Sequence, residues 1–147
     1  MSALEYCIDT NIFIRFLVKD DARMFRECSE LIDEIQHEHI LAYTPIPVLA
    51  EVQWVLKSFY KFEKSEVVKA LKSIIAFSQE PPDVPAAGTA LSLYEQHSVK
   101  FIDALIASHP RIQDGSMAVI SYDKDFDKLG VSRLEPKGVL KTLRKRK

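Results

Sequence analysis

The sequence predicts an α/β fold in which a short parallel sheet is covered on both faces by helices. Short apolar runs of strand length alternate with long stretches of helical spacing, and parallel strands joined by helical crossovers give that alternation. The 147 residues suit one ordinary domain, and 47% hydrophobic with 28% charged residues is the composition of a globular chain with one core. No internal repeat, low-complexity segment or linker divides the chain into two units.

Residues 5–8, Glu-Tyr-Cys-Ile, read as a short buried strand ending at the polar turn Asp9-Thr10-Asn11. The apolar run Ile12, Phe13, Ile14, Phe16 and Leu17 then reads as a helix. Asp20 or Asp21 caps the next helix, in which Phe25, Cys28, Leu31, Ile32 and Ile35 recur at helical spacing. A second strand follows at residues 39–43. Pro45 and Pro47 mark a helix start, with Leu49, Val52, Val55, Leu56 and Phe59 along its apolar face. Ser65 opens a further helix expected to turn Val67, Val68, Leu71, Ile74 and Ile75 inward, and these two helices form an αα-hairpin. Pro81-Pro82-Asp83-Val84-Pro85 is a stop that leaves room for one short strand. Residues 86–97 and 101–109 read as helices, residues 117–121 as a strand. The acidic turn Tyr122-Asp123-Lys124-Asp125-Phe126, a short helix and an edge strand near residues 131–134 complete the domain.

The formal net charge of -1 hides an asymmetry. Residues 137–147 hold six of the 20 basic residues and none of the 21 acids, so residues 1–136 carry 14 bases against 21 acids, a charge of -7. The expected organisation is a domain over residues 1–136 and a basic C-terminal tail over residues 137–147, which either tracks phosphates or is simply solvated. Two cysteines, Cys7 and Cys28, lie outside any Cys-x-x-Cys pair and speak against a disulfide scaffold or a cysteine zinc site. The start Met1-Ser2-Ala3-Leu4-Glu5 lacks a basic segment followed by an apolar one, and no apolar stretch reaches the ~20 residues of a bilayer crossing. A reducing cytoplasm and no membrane are expected. Four glycines, with neither a Walker loop nor Gly-x-Gly-x-x-Gly, argue against a glycine-cradled nucleotide.

The chemistry is expected at acids that need explaining. Asp9 ends the first strand, where it either caps the following helix or faces a ligand at the carboxyl edge of the sheet. Glu51 and Asp103 are single acids among apolar residues, expensive if buried unpaired. Glu51 is otherwise the exposed side of an amphipathic helix, and Asp103 a helix-dipole partner. Asp123, Asp125 and Asp127 form either a solvated turn or part of the same site. Carboxylates converging on one cleft repel each other unless a cation neutralises them, and hard oxygen ligands suit Mg²⁺ or Mn²⁺. Such an ion polarises a phosphate and activates water, which is the chemistry of phosphodiester hydrolysis.

In the order and context of these acids the chain resembles a PIN-domain ribonuclease, most closely the VapC-type toxins of bacterial and archaeal toxin–antitoxin pairs. The resemblance covers about residues 5–135 and rests on Ile8-Asp9-Thr10-Asn11, Leu49-Ala50-Glu51-Val52 followed by Trp54-Val55-Leu56, Phe101-Ile102-Asp103-Ala104-Leu105-Ile106-Ala107, and Ile120-Ser121-Tyr122-Asp123-Lys124-Asp125-Phe126. It implies a three-layer α/β/α sandwich with a short central parallel sheet, a Mg²⁺- or Mn²⁺-binding pocket and endonucleolytic hydrolysis of RNA. Carried over by position, Asp9, Glu51, Asp103 and Asp123 are the acidic set. Asp9 and Asp103 would be the foremost metal ligands, Glu51 would bind through water or orient the nucleophile, and Asp123 would complete the pocket, with Asp125 the alternative. Thr10 and Asn11 match polar residues that support the ligands, and Ser121 stands where the family often has threonine.

The resemblance also implies a homodimer and a cognate antitoxin. A PIN nuclease of RNA processing outside any toxin system, a catalytically silent RNA- or protein-binding module, and an acidic-pocket phosphatase are the competing readings. His37, His39, His97 and His109 show no metal-binding spacing. Trp54, Phe59, Tyr60 and Phe62 either stack on bases or pack in a core or subunit contact. Arg15, Lys57, Lys61 and Lys64 either guide an RNA backbone or are solvated helix charge.

Overall fold

The computed structural model describes residues 4–79 and 87–147. Strand β1 (Leu4–Ile8) runs through Asp9 into helix α1 (Thr10–Val18), followed by α2 (Ala22–Gln36) and β2 (Ile40–Tyr43). Asp21, rather than Asp20, caps α2 by accepting the Met24 N–H at 2.9 Å, while Asp20 pairs with Arg15. Helices α3 (Ile46–Ser58) and α4 (Lys64–Phe77) pack as the expected hairpin and lead to β3 (Ser78–Gln79). The proline segment expected to hold a strand lies outside the described residues, and the third strand is formed before it. Helices α5 (Ala87–Gln96), α6 (Phe101–Ala107) and α7 (Pro110–Gln113) precede β4 (Ala118–Ile120), and α8 (Asp125–Lys128), β5 (Arg133–Leu134) and α9 (Pro136–Arg146) end the chain.

All strand pairs are parallel, in the order β3-β2-β1-β4-β5. From β1 the chain steps outward through β2 to β3, then returns to the other side of β1 for β4 and β5. Right-handed crossovers therefore put the two excursions on opposite faces, and the order reverses between β1 and β4. Tyr6, Cys7 and Ile8 pair with Ala118, Val119 and Ile120 across that junction. Their inner members Cys7, Ile8, Val119 and Ile120 are fully buried, which fixes the register because a one-residue slip would expose them.

Several expectations are corrected by packing. The segment read as a basic tail is the helix α9, whose Val139, Leu140 and Leu143 are buried against the body, with α9 lying on α2. Its cations occupy the outer face, and Arg144 and Lys147 pair with Glu30 and Glu34 of α2. On α4 the buried residues are Val67, Ala70 and Ile74, whereas Val68 and Ile75 are exposed, because α4 presents a narrower stripe to α3 than its apolar content suggests. Phe59 at the end of α3 is also exposed. The helix expected to reach residue 109 stops at Ala107, since His109 caps a separate turn that begins with Pro110. Cys7 and Cys28 are buried free thiols, and no described helix is long and apolar enough to cross a membrane.

Candidate functional site

A doubly wound parallel sheet opens a crevice at the carboxyl ends of the two strands between which its order reverses. Here those ends are Asp9, after β1, and Ser121, after β4. The Asp9 N–H donates to the Ile120 carbonyl at 3.1 Å, so the ladder carries the two segments together one residue past the strands. Ser121 Oγ then donates to Asp9 Oδ2 at 2.5 Å and accepts the Asp123 N–H at 2.9 Å. One hydroxyl thus holds two acids that are 114 positions apart in sequence. Asp9 Oδ1 accepts the Thr10 N–H at 2.8 Å, so the capping and site readings of Asp9 describe the same side chain. The Tyr122 hydroxyl donates to Glu27 of α2 at 2.7 Å, which anchors its ring on that helix and leaves Asp123 to turn toward the crevice.

Asp103 enters from the first turn of α6. It is only 3% exposed, as is Asp9, and its Oδ2 is buried with no hydrogen-bond partner. A buried carboxylate oxygen without a donor is unfavourable as a charge and is relieved by a proton or by an electropositive ligand. Oxygens of Asp103, Asp123 and Asp125 all lie within 4.8 Å of one another, close enough to share one ion. Asp103 is one of the two expected foremost ligands; the other, Asp9, is outside this triad and is tied to Ser121. Asp125 lies within the triad but is also paired with Lys128 at 2.9 Å, and its N–H donates to Asp123 Oδ1.

The electrostatics extend the cluster to four acids. Burial pushes Asp103 up to about 7, with the charges of Asp9 and Asp123 adding to it, Lys100 opposing and Glu51 contributing last. Burial likewise lifts Asp9 to about 6, against the hydrogen bonds from Ser121 and Thr10 and with the charges of Glu51 and Asp123. Asp9, Glu51, Asp103 and Asp123 therefore share one field. Both Asp123 and Asp125 reach the cluster, and Asp125 is the one with a cationic partner.

Glu51 is half-buried on α3 and borders a cleft of about 410 Å³ that also includes Thr10, Asn11, Arg15, Trp54, Phe59, Tyr60 and Lys100. Of the expected phosphate guides only Arg15 reaches this cleft, and it is bound to Asp20 at 2.9 Å. Lys57, Lys61 and Lys64 lie elsewhere on the α3–α4 hairpin. Sequence reasoning missed Lys100, the exposed residue that precedes α6 and whose charge acts on Asp103. Its only signal was a cation three residues before a lone acid. None of the four histidines belongs to the acidic group.

The structure is thus a doubly wound parallel α/β sheet with a cluster of buried and half-buried carboxylates at its reversal point. The chain matches the PIN domain model over residues 6–131 and belongs to that family. Among solved structures it is similar to the crystal structure of VapBC2 from Rickettsia felis bound to a DNA fragment from the promoter, with a TM-score of 0.63 and 18% identity over 90% of this chain and 98% of that one. At that identity the likeness is one of fold. No curated protein matches the sequence significantly.

Proposed function

We propose that this PIN domain is a divalent-metal-dependent endoribonuclease, the toxin of a VapBC-type pair, working in the cytoplasm with Asp9, Glu51, Asp103 and Asp123 as its acidic set. The observation that carries the reading is the partnerless Asp103 Oδ2 beside the carboxylate oxygens of Asp123 and Asp125. This all-oxygen donor set fits Mg²⁺ or Mn²⁺, with Asp103 and Asp123 as holders and Asp9 completing the charge from behind. When bound, such an ion supplies charge neutralisation, polarises the phosphate and makes bound water more acidic.

The chain's own residues account for the rest. The Ser121 hydroxyl and the Thr10 amide fix Asp9, and through the Asp123 amide the same hydroxyl fixes the opposite wall. Glu51, half-buried at the crevice edge, is suited to orient the attacking water and accept its proton as the P–O bond to the leaving ribose oxygen breaks. The Lys100 ammonium at the mouth offsets the repulsion an RNA phosphate meets on approaching four acids. The antitoxin and the homodimer rest on family kinship and on the VapBC2 likeness in fold.

The test is cleavage of a mixed structured-RNA pool with Mn²⁺ or Mg²⁺, with chelator, and with Asp9→Asn. Discrete products that require both the metal and Asp9 are expected. A folded protein that cuts nothing with either metal overturns the nuclease and leaves a silent binding module. Products with no antitoxin-sized reading frame beside the gene would favour an RNA-processing role.

A further inference from the structure

The cleft beside the acids has a chemistry the carboxylates do not explain. Trp54 and Phe59 line it and are 62% and 72% exposed, so neither belongs to the core. Trp54 follows Glu51 by three residues on α3, a rise of about 4.5 Å on the same side of the helix, and a stacked nucleotide step is ~3.4 Å. At the inner end Thr10 is buried, and its Oγ1 has no hydrogen-bond partner. At the outer end the Phe59 and Tyr60 rings meet edge to face at 4.9 Å, and the Tyr60 hydroxyl donates to Asp20, which also holds Arg15. Lys100 also lines the cleft and has no ion-pair partner among the described residues.

We infer that this cleft is a subsite for one unpaired nucleotide adjacent to the scissile phosphate, with its base stacked on Trp54 and its phosphate facing Lys100. The inference rests on the nuclease reading and names the residues that hold the nucleotide beside that site. An aromatic face is available to an unpaired base and not to one stacked within a duplex, which gives Trp54 its partner. The cleft volume of about 410 Å³ accommodates a nucleotide rather than a duplex, whose A-form backbone would hold its bases away from Trp54. A purely apolar partner would bury the Lys100 ammonium without a counter-charge, so the mixed lining favours an anionic, aromatic ligand.

Trp54 is the chain's single tryptophan, so its emission reports this site alone. The probe is an unstructured ten-nucleotide oligoribonucleotide, added in chelator to prevent cleavage, beside the same strand annealed into a duplex. Saturable quenching by the single strand and little by the duplex is expected. Trp54→Ala should weaken binding of the labelled strand ~5- to 150-fold, Trp54→Phe should recover most of it, and Lys100→Gln should lower the salt slope of binding by about 0.7. Because Trp54 is exposed, these variants keep the core, which circular dichroism checks. Three results overturn the subsite: binding that leaves the emission unchanged, Trp54→Ala binding as tightly as the parent, or emission that shifts with protein concentration alone because a second copy covers Trp54. Cleavage with Mn²⁺ is scored separately. Cleavage without quenching removes only the subsite, and quenching without cleavage removes only the nuclease.

Discussion

Replacing Asp103 by Asn should stabilise the metal-free protein at alkaline pH while abolishing its activity. In an unfolded chain the Asp103 carboxyl titrates near the ordinary aspartate value of 3.8, and in the folded protein burial and the neighbouring acids push it up to about 7. Between those values the folded state binds more protons than the unfolded state, so stability falls as pH rises through the interval and levels off above it. The full shift corresponds to about 4 kcal/mol, and solvent screening at the open crevice halves this to about 2 kcal/mol. Asparagine carries no such charge and should recover that amount at pH 8, a gain of ~4–8 °C in melting temperature for a domain of this size. At pH 5 the carboxyl is already largely protonated in the folded state, and the advantage should shrink to less than half. The assay is thermal melting followed by far-ultraviolet circular dichroism at both pH values in chelator. Adding Mn²⁺ at pH 8 should raise the melting temperature of the parent and not that of Asp103→Asn. A variant less stable than the parent at pH 8, or one with the same advantage at both pH values, would refute the account of Asp103 as an uncompensated buried charge.

Two further perturbations probe the supports of the site. Ser121→Ala removes the hydroxyl shared by Asp9 and the Asp123 amide and should lower metal affinity or cleavage ~10- to 100-fold, with Ser121→Thr retaining most of it, as read by calorimetric Mn²⁺ titration. An unchanged affinity would mean that the two acids hold their positions without it. Leu143→Ala on α9 should cost ~2–5 kcal/mol in urea unfolding, the loss expected when a buried leucine leaves a cavity, whereas a dispensable tail would register nothing.

The alternation of short apolar runs with helical stretches determined the α/β class, and with it the rule that a ligand belongs at the carboxyl ends of the strands. Asp9, Glu51 and Asp103 stood out because each is a charge in a locally apolar or strand-ending context, whereas Asp123 was set apart from Asp125 only by the resemblance to PIN-domain nucleases. Local patterning says little about how helices share a surface. It did not reveal that Val68 and Ile75 face solvent, or that the basic terminus is a docked helix, because both depend on which neighbour arrives to cover a face.

Only the tertiary structure could decide how the acids divide the work. Asp9 and Ser121 meet because parallel pairing of β1 with β4 brings strand ends 112 residues apart into register, and no local propensity encodes that distance. Burial then separates acids of the same type: Asp9 is held by donors, Asp103 is left with an orphan oxygen, and Asp125 is drawn to Lys128. The residue types are written along the chain, but their charges acquire different environments only when folding sets how much water, and which neighbour, each one keeps.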